Sequence, residues 1–143
     1  MSLELLTPVD DEVLQSFDLL PKQVIGKSLV IHTKNSGLPE MQGLNIVLIG
    51  CDEHRNSFFP NNKYKINEFR KSFYKLYPGN WNLNIADLGN LPNGAKVEDT
   101  YFALKEIAYH LKQMNIILVL IGGSHDLIFP LYQVFQDFRQ LVN

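Results

Sequence analysis

Three short apolar runs stand out along the chain: "LNIVLIG" at 44–50, "LNIADLG" at 83–89 and "IILVLIGG" at 116–123, each closed by glycine. Such runs, rich in Ile, Leu and Val and lacking polar alternation, predict strands buried on both faces. Between them the spacing changes to a helical period. Ile66, Phe69, Phe73, Leu76 and Tyr77 share one helix face, with Pro78-Gly79 as a stop. Leu104, Ile107, Ala108, Leu111 and Met114 form a second stripe, with Asp99 or Thr100 as its N-cap. "LIFPLYQVFQDF" at 127–138 starts a third helix that tolerates Pro130 near its first turn. The resulting β-α-β-α-β-α order predicts parallel pairing, right-handed crossovers and an α/β layered fold.

Residues 1–43 are less regular and read as an N-terminal extension to the 44–143 domain. "DDEVLQSFDLL" at 10–20 predicts a short helix ended by Pro21, and "SLVIHT" at 28–33 has the composition of an edge strand.

Composition narrows the class. The 143 residues, 45% hydrophobic and 20% charged, can bury a core without metals or disulfides. A formal net charge of −2 gives no reason to expect a nucleic-acid or anionic-membrane partner. Cys51 is the only cysteine, so no internal disulfide can form, in keeping with a reducing cytoplasm. The acidic N-terminus lacks the pattern of a signal peptide, and no apolar run reaches the roughly 18 residues of a membrane span. The expected location is the cytoplasm.

Ligands of parallel sheets bind outside the carboxyl ends of the strands. Three loops fall there: "CDEHRN" at 51–56, "GNLPNG" at 89–94 and "GGSHD" at 122–126. The last places Ser124, His125 and Asp126 in a row. A nucleophile elbow would need glycine at Asp126 and a histidine after it, and no histidine follows His125. A phosphate loop would need G-x-G-x-x-G or G-K-[ST], and neither is present. Ser124 or Asp126 could simply cap the third helix, with His125 solvated. Alternatively, His125 is a metal ligand and its neighbours orient it or ligate too.

"LVLIGGSHDL" resembles the first metal motif, G-G-D-H-S, of the ureohydrolase family of arginase, agmatinase and formiminoglutamase. "IVLIGCDEHRN", "KINEFRKSFYKLY" and "IADLGNL" resemble upstream segments of formiminoglutamase-like members in the same order. The similarity covers roughly residues 44–135. The resemblance implies a three-layer αβα fold with a parallel sheet, part of an arginase-like domain. It also implies a binuclear manganese centre whose activated water cleaves a C–N bond in a linear amidine or guanidino substrate, formiminoglutamate being preferred. His125 falls on the metal-ligating histidine, with Ser124 and Asp126 as second-layer residues. Ser124 replaces the family's Asp and Asp126 its Ser. Asp52, Glu53, Arg55 and Asn56 fall on the substrate-side loop, where a loop salt-bridge set is an equal reading.

The family's later motifs, D-A-H-x-D and S-x-D-x-D, do not occur, so the chain resembles the N-terminal half of such a hydrolase. It would be inactive and hold no metal tightly by itself; no catalytic residue is assigned. The alternative is a non-catalytic family member or interaction domain. The resemblance further implies a strand order of 2-1-3 for the three strong strands. The run at 116–121 would then be an open edge through which the chain forms a homo-oligomer.

Overall fold

The computed structural model describes residues 2–59 and 65–137. Four parallel strands form one sheet: β1 (Val30–Ile31), β2 (Ile46–Cys51), β3 (Ile85–Leu91) and β4 (Ile117–Ile121), in the order β1-β3-β2-β4. The three strong strands thus lie in the order 2-1-3, and "SLVIHT" supplies only the two-residue β1 on the far edge. The helices are α1 (Asp11–Leu14), α2 (Ile25–Ser28), α3 (Ile66–Phe73), α4 (Val97–Gln113) and α5 (Ile128–Asp137). The chain is therefore an α/β protein. No helix among the described residues is long and apolar enough to cross a membrane.

Alternation along the strands sends side chains to two faces. Val47, Ile49 and Cys51 of β2 and Ala86 and Leu88 of β3 point to one face. There they pack with Leu104, Ile107 and Leu111 of α4, and with Leu3 and Leu6 from the N-terminus. Leu48 and Ile121 point to the other face and meet Ile66 of α3. Residues 2–43 pack into the same body: Val9, Val13, Ile25 and Leu29 gather around Tyr74, just past the end of α3.

Two local expectations are corrected. The helix at 10–20 is broken into α1 and a 3-10 turn, Phe17–Leu19. The helix face of Phe69, Leu76 and Tyr77 is exposed; the buried face of this segment is Ile66, Arg70 and Tyr74, spaced by four. The reason is electrostatic. Arg70 and Asp87 are both fully buried and form a two-point ion pair, Nε–Oδ2 at 2.8 Å and Nη2–Oδ1 at 3.0 Å. Arg70 also donates to Gly89 O at 2.7 Å and Asn90 Oδ1 at 2.7 Å. The Tyr74 hydroxyl donates to Asp87 Oδ2 at 2.7 Å, and burial together with the Asp87 charge pushes its pKa up, keeping that proton on.

Gly89 explains how β3 reaches these partners. Leu48 faces Asp87 but Gly50 faces Asn90, so β3 carries one extra residue there. Gly89 is that residue, at φ +85°, a left-handed conformation natural for a bulge glycine. The bulge turns Asn90 toward Arg70 and lets the Gly89 N–H bond Asp87 Oδ1 at 3.0 Å. Thr7 then pairs across Asn90 through two backbone hydrogen bonds of 2.8 and 2.9 Å, which seats the N-terminal segment on the sheet.

Candidate functional site

The loops after β2, β3 and β4 meet at the carboxyl rim, and Glu53 joins them. Its side chain is fully buried in the loop following β2. Arg55 Nε donates to Glu53 Oε1 at 2.9 Å and Arg55 Nη2 to Oε2 at 2.5 Å. Thr100 Oγ1 donates to Oε2 at 2.9 Å from the first turn of α4. Arg55 also donates to the carbonyls of Ala95 and Gly94, both at 3.0 Å. On the other side Ser124 donates its backbone N–H to Glu53 O at 2.8 Å and its hydroxyl to the same oxygen at 3.2 Å. A short polar network therefore sets the spacing of all three loops. Neither Asp99 nor Thr100 is the N-cap of α4: Lys96 occupies that position, and Asp99 accepts from the Lys96 N–H at 2.8 Å.

The paired guanidinium holds the Glu53 carboxyl well below the ordinary carboxylate range, at about 2, against the opposing cost of burial. A carboxylate with a depressed folded-state pKa stabilises the fold above its unfolded value of about 4.5. That contribution is lost as pH falls toward 2. Each tenfold gain in acidity corresponds to about 1.4 kcal/mol, so about 2–3 kcal/mol is at stake once partial solvent screening of Arg55 is allowed for. Urea unfolding of the wild type should therefore lose that much more stability between pH 5 and pH 2 than Glu53→Gln does. Equal losses in the two proteins would remove Glu53 as the acid-sensitive joint.

The segment 122–126 is tight because both glycines have positive φ, +83° for Gly122 and +80° for Gly123. A side chain on Gly123 would stand 2.1 Å from Leu127 Cδ1. This turn delivers Ser124 to Glu53 and opens a 3-10 turn, His125–Leu127, that runs into α5. Ser124 precedes that turn without a side-chain cap, since its hydroxyl is used on Glu53.

The candidate residues separate at this point. His125 is exposed at the carboxyl end of β4, which is the edge strand of the described sheet rather than a central one. Its ring lines a shallow depression of about 450 Å³ with Leu120, Leu127, Ile128 and Leu131. Asp126 turns the other way, where its Oδ2 accepts from the Tyr101 hydroxyl, itself bonded to Asn56 Nδ2 at 3.0 Å. Asp126 Oδ1 is buried, and no described residue hydrogen-bonds it. Asp52 lines a different cleft of about 660 Å³ with Asp10, Glu12, Asn67, Glu68 and Asn90, among others. The "CDEH" residues do not converge: the Cys51 thiol is buried, its pKa pushed up to about 11 by that burial, and His54 Nδ1 bonds Asp52 O at 2.7 Å.

A binuclear manganese centre needs several oxygen and nitrogen donors converging on each ion. Among the described residues no group of three His, Cys, Asp or Glu is placed to hold a metal. A single exposed imidazole, with the Asp126 carboxylate turned away from it toward Tyr101, does not make such a centre, and these residues alone do not fit it.

Sequence reasoning missed the roles of Arg70, Thr100 and Tyr101. Two signals pointed to the first. Arg70 sits four residues from both Ile66 and Tyr74, and Asp87 interrupts an apolar strand, so the Ile66–Tyr74 row of the helix and the buried strand each carry one charge, of opposite sign.

The fold and rim define an α/β protein whose ligand-binding edge, if used, lies at these three loops. No protein-family model matches the chain, and neither a curated protein nor a solved structure matches it.

Proposed function

We propose that the chain is the N-terminal part of a ureohydrolase-like hydrolase that cleaves a C–N bond in a linear amidine, formiminoglutamate being the preferred class. One observation carries this reading. A parallel sheet in the order β3-β2-β4 ends in three joined loops, and an exposed histidine follows a Gly-Gly turn at that rim. His125 would contribute one metal ligand. The other ligands would belong to sequence motifs absent from these 143 residues. Arg55 and Glu53 would shape the rim, since both side chains are engaged with each other.

The test is the coding sequence downstream of codon 143. D-A-H-x-D and S-x-D-x-D motifs within the next few hundred codons support the hydrolase, and a stop codon with neither motif overturns it. The 143-residue protein itself should bind Mn²⁺ only weakly, with water completing the coordination. Calorimetric titration should show no stoichiometric site that survives dialysis, and formiminoglutamate should not be hydrolysed. Tight retention of one or two Mn²⁺ per chain would contradict the assignment of the missing ligands.

A second reading, a non-catalytic interaction domain, is favoured by the closed Glu53-Arg55-Thr100 network, which leaves little unspent chemistry at the rim.

A further inference from the structure

Asn93-Gly94 is the one Asn-Gly pair in the chain, and it lies in the loop from β3 to α4. Packing demands the glycine: a Cβ at position 94 would overlap Asp99 Cβ and stand 3.1 Å from Lys96 O. Asn93 is exposed, so water and hydroxide reach its carboxamide. Asparagine is a thermolabile residue, and most so before glycine, where no side chain hinders the next backbone nitrogen from reaching the carboxamide carbon.

The reaction needs only water. The Gly94 N–H gives its proton to hydroxide and the nitrogen attacks Asn93 Cγ. The Cγ–Nδ2 bond then breaks, and the amide leaves as ammonia with a proton from water. A second water opens the five-membered imide at one of its two carbonyls, giving aspartate or isoaspartate.

Both ends of this reaction are tied down. The nucleophile is held because the Gly94 N–H donates to Thr100 Oγ1 at 2.9 Å. The leaving group is held because Asn93 Nδ2 donates to Asp52 O at 3.2 Å. Arg55 clamps the same loop through the carbonyls of Gly94 and Ala95, both at 3.0 Å. Thr100 does not draw the proton off Gly94. Its own hydroxyl donates to Glu53, a carboxylate that Arg55 keeps ionised and weakly basic.

We propose that Asn93 is a guarded deamidation site, exposed to attack when the Glu53-Arg55-Thr100 knot opens, whose conversion to isoaspartate then holds the rim open. Isoaspartate carries the backbone through its former side chain, which adds a methylene to the loop. The carbonyls of Gly94 and Ala95 then move off Arg55. The new carboxylate also shares a cleft with Asp52, a group of like charge, and no longer donates to Asp52 O. The result is a covalent record of rim opening. Chemistry and guard both lie within residues 52–100, so the site is independent of the hydrolase reading and the 143-residue chain suffices to test it.

Peptide mapping by mass spectrometry at mildly alkaline pH follows the amide-to-acid gain at Asn93. The wild type should convert at least tenfold more slowly than the free peptide of residues 90–97, because attack waits for local opening. Thr100→Val, which removes the acceptor, should convert at least tenfold faster than the wild type. Thr100→Ser, which keeps it, should match the wild type. Asn93→Gln, whose imide would need a six-membered ring, should gain no acid at this position. Circular dichroism checks that each variant is folded, and the comparison of wild type with peptide needs no variant. In the isolated isoaspartate form the Ser124 amide, bonded to Glu53 O in the native rim, should exchange faster than in fresh protein. Conversion of the wild type at the peptide's rate, or of Thr100→Val no faster than Thr100→Ser, overturns the guard. Unchanged Ser124 exchange in the isoaspartate form overturns the opening of the rim.

Discussion

Asp87→Ala is expected to destabilise the chain by about 3–5 kcal/mol, because it leaves a buried guanidinium without its counter-charge. Arg70 is fully buried and cannot swing to water. The Tyr74 hydroxyl and the Gly89 N–H lose their acceptor in the same step. A domain of this size is stable by about 5–15 kcal/mol in total, so the loss is a large fraction of what holds it folded. Urea unfolding monitored by circular dichroism would measure it. The double variant Arg70→Met/Asp87→Ala should recover part of the loss, since no charge is then stranded. A single-variant cost under 1 kcal/mol would show that the pair does not join α3 to β3.

Gly89→Ala is expected to cost about 3 kcal/mol or more, by a different route. The new Cβ would stand 1.9 Å from Thr7 O, and the residue would have to hold φ +85°. The left-handed conformation alone costs an alanine about 1–2 kcal/mol. The new Cβ meets a backbone oxygen and has no rotamer of its own, so no side-chain adjustment can relieve the contact, and the N-terminal segment must lift. That removes the two Thr7–Asn90 hydrogen bonds, about 1 kcal/mol each, and loosens Leu3, Leu6 and Val9 from their buried sites. Amide exchange should show residues 3–9 opening before the rest of the sheet. Cooperative unfolding with no early loss of protection there would argue against this route. Gly89→Asn, although asparagine tolerates positive φ better, should be no less damaging, because the collision remains.

Glu53 shows why part of the rim was hidden in the sequence. Asp52, Glu53, Arg55 and Asn56 were legible as polar groups on a loop following a strand. Their proximity to Gly94, Ala95, Thr100 and Ser124 was not, because those partners are about 40 to 70 residues away along the chain. Hence a candidate substrate loop and a structural knot have the same local sequence. His125 shows the reverse. The Gly-Gly turn at a strand end predicted an imidazole at the carboxyl rim, and it is there. Its direction is set by Ser124 binding Glu53, which sends the next side chain toward the β4 edge instead of the cleft beside Asp52.

The sequence by itself determined the parallel α/β architecture, since unbroken apolar runs alternating with helical stripes can bury their surface in few other ways. It also determined where the loops fall. Tertiary structure decided which helix face is buried, because Arg70 reads as a solvent residue until Asp87 from β3 neutralises it. It decided that residues 2–43 seal the core, because Leu3, Leu6 and Val9 find their contacts only once the Gly89 bulge brings Asn90 to Thr7. Local pattern records how each segment prefers to fold. Charge compensation and backbone docking depend on residues far apart in the chain, and only the assembled sheet brings those together.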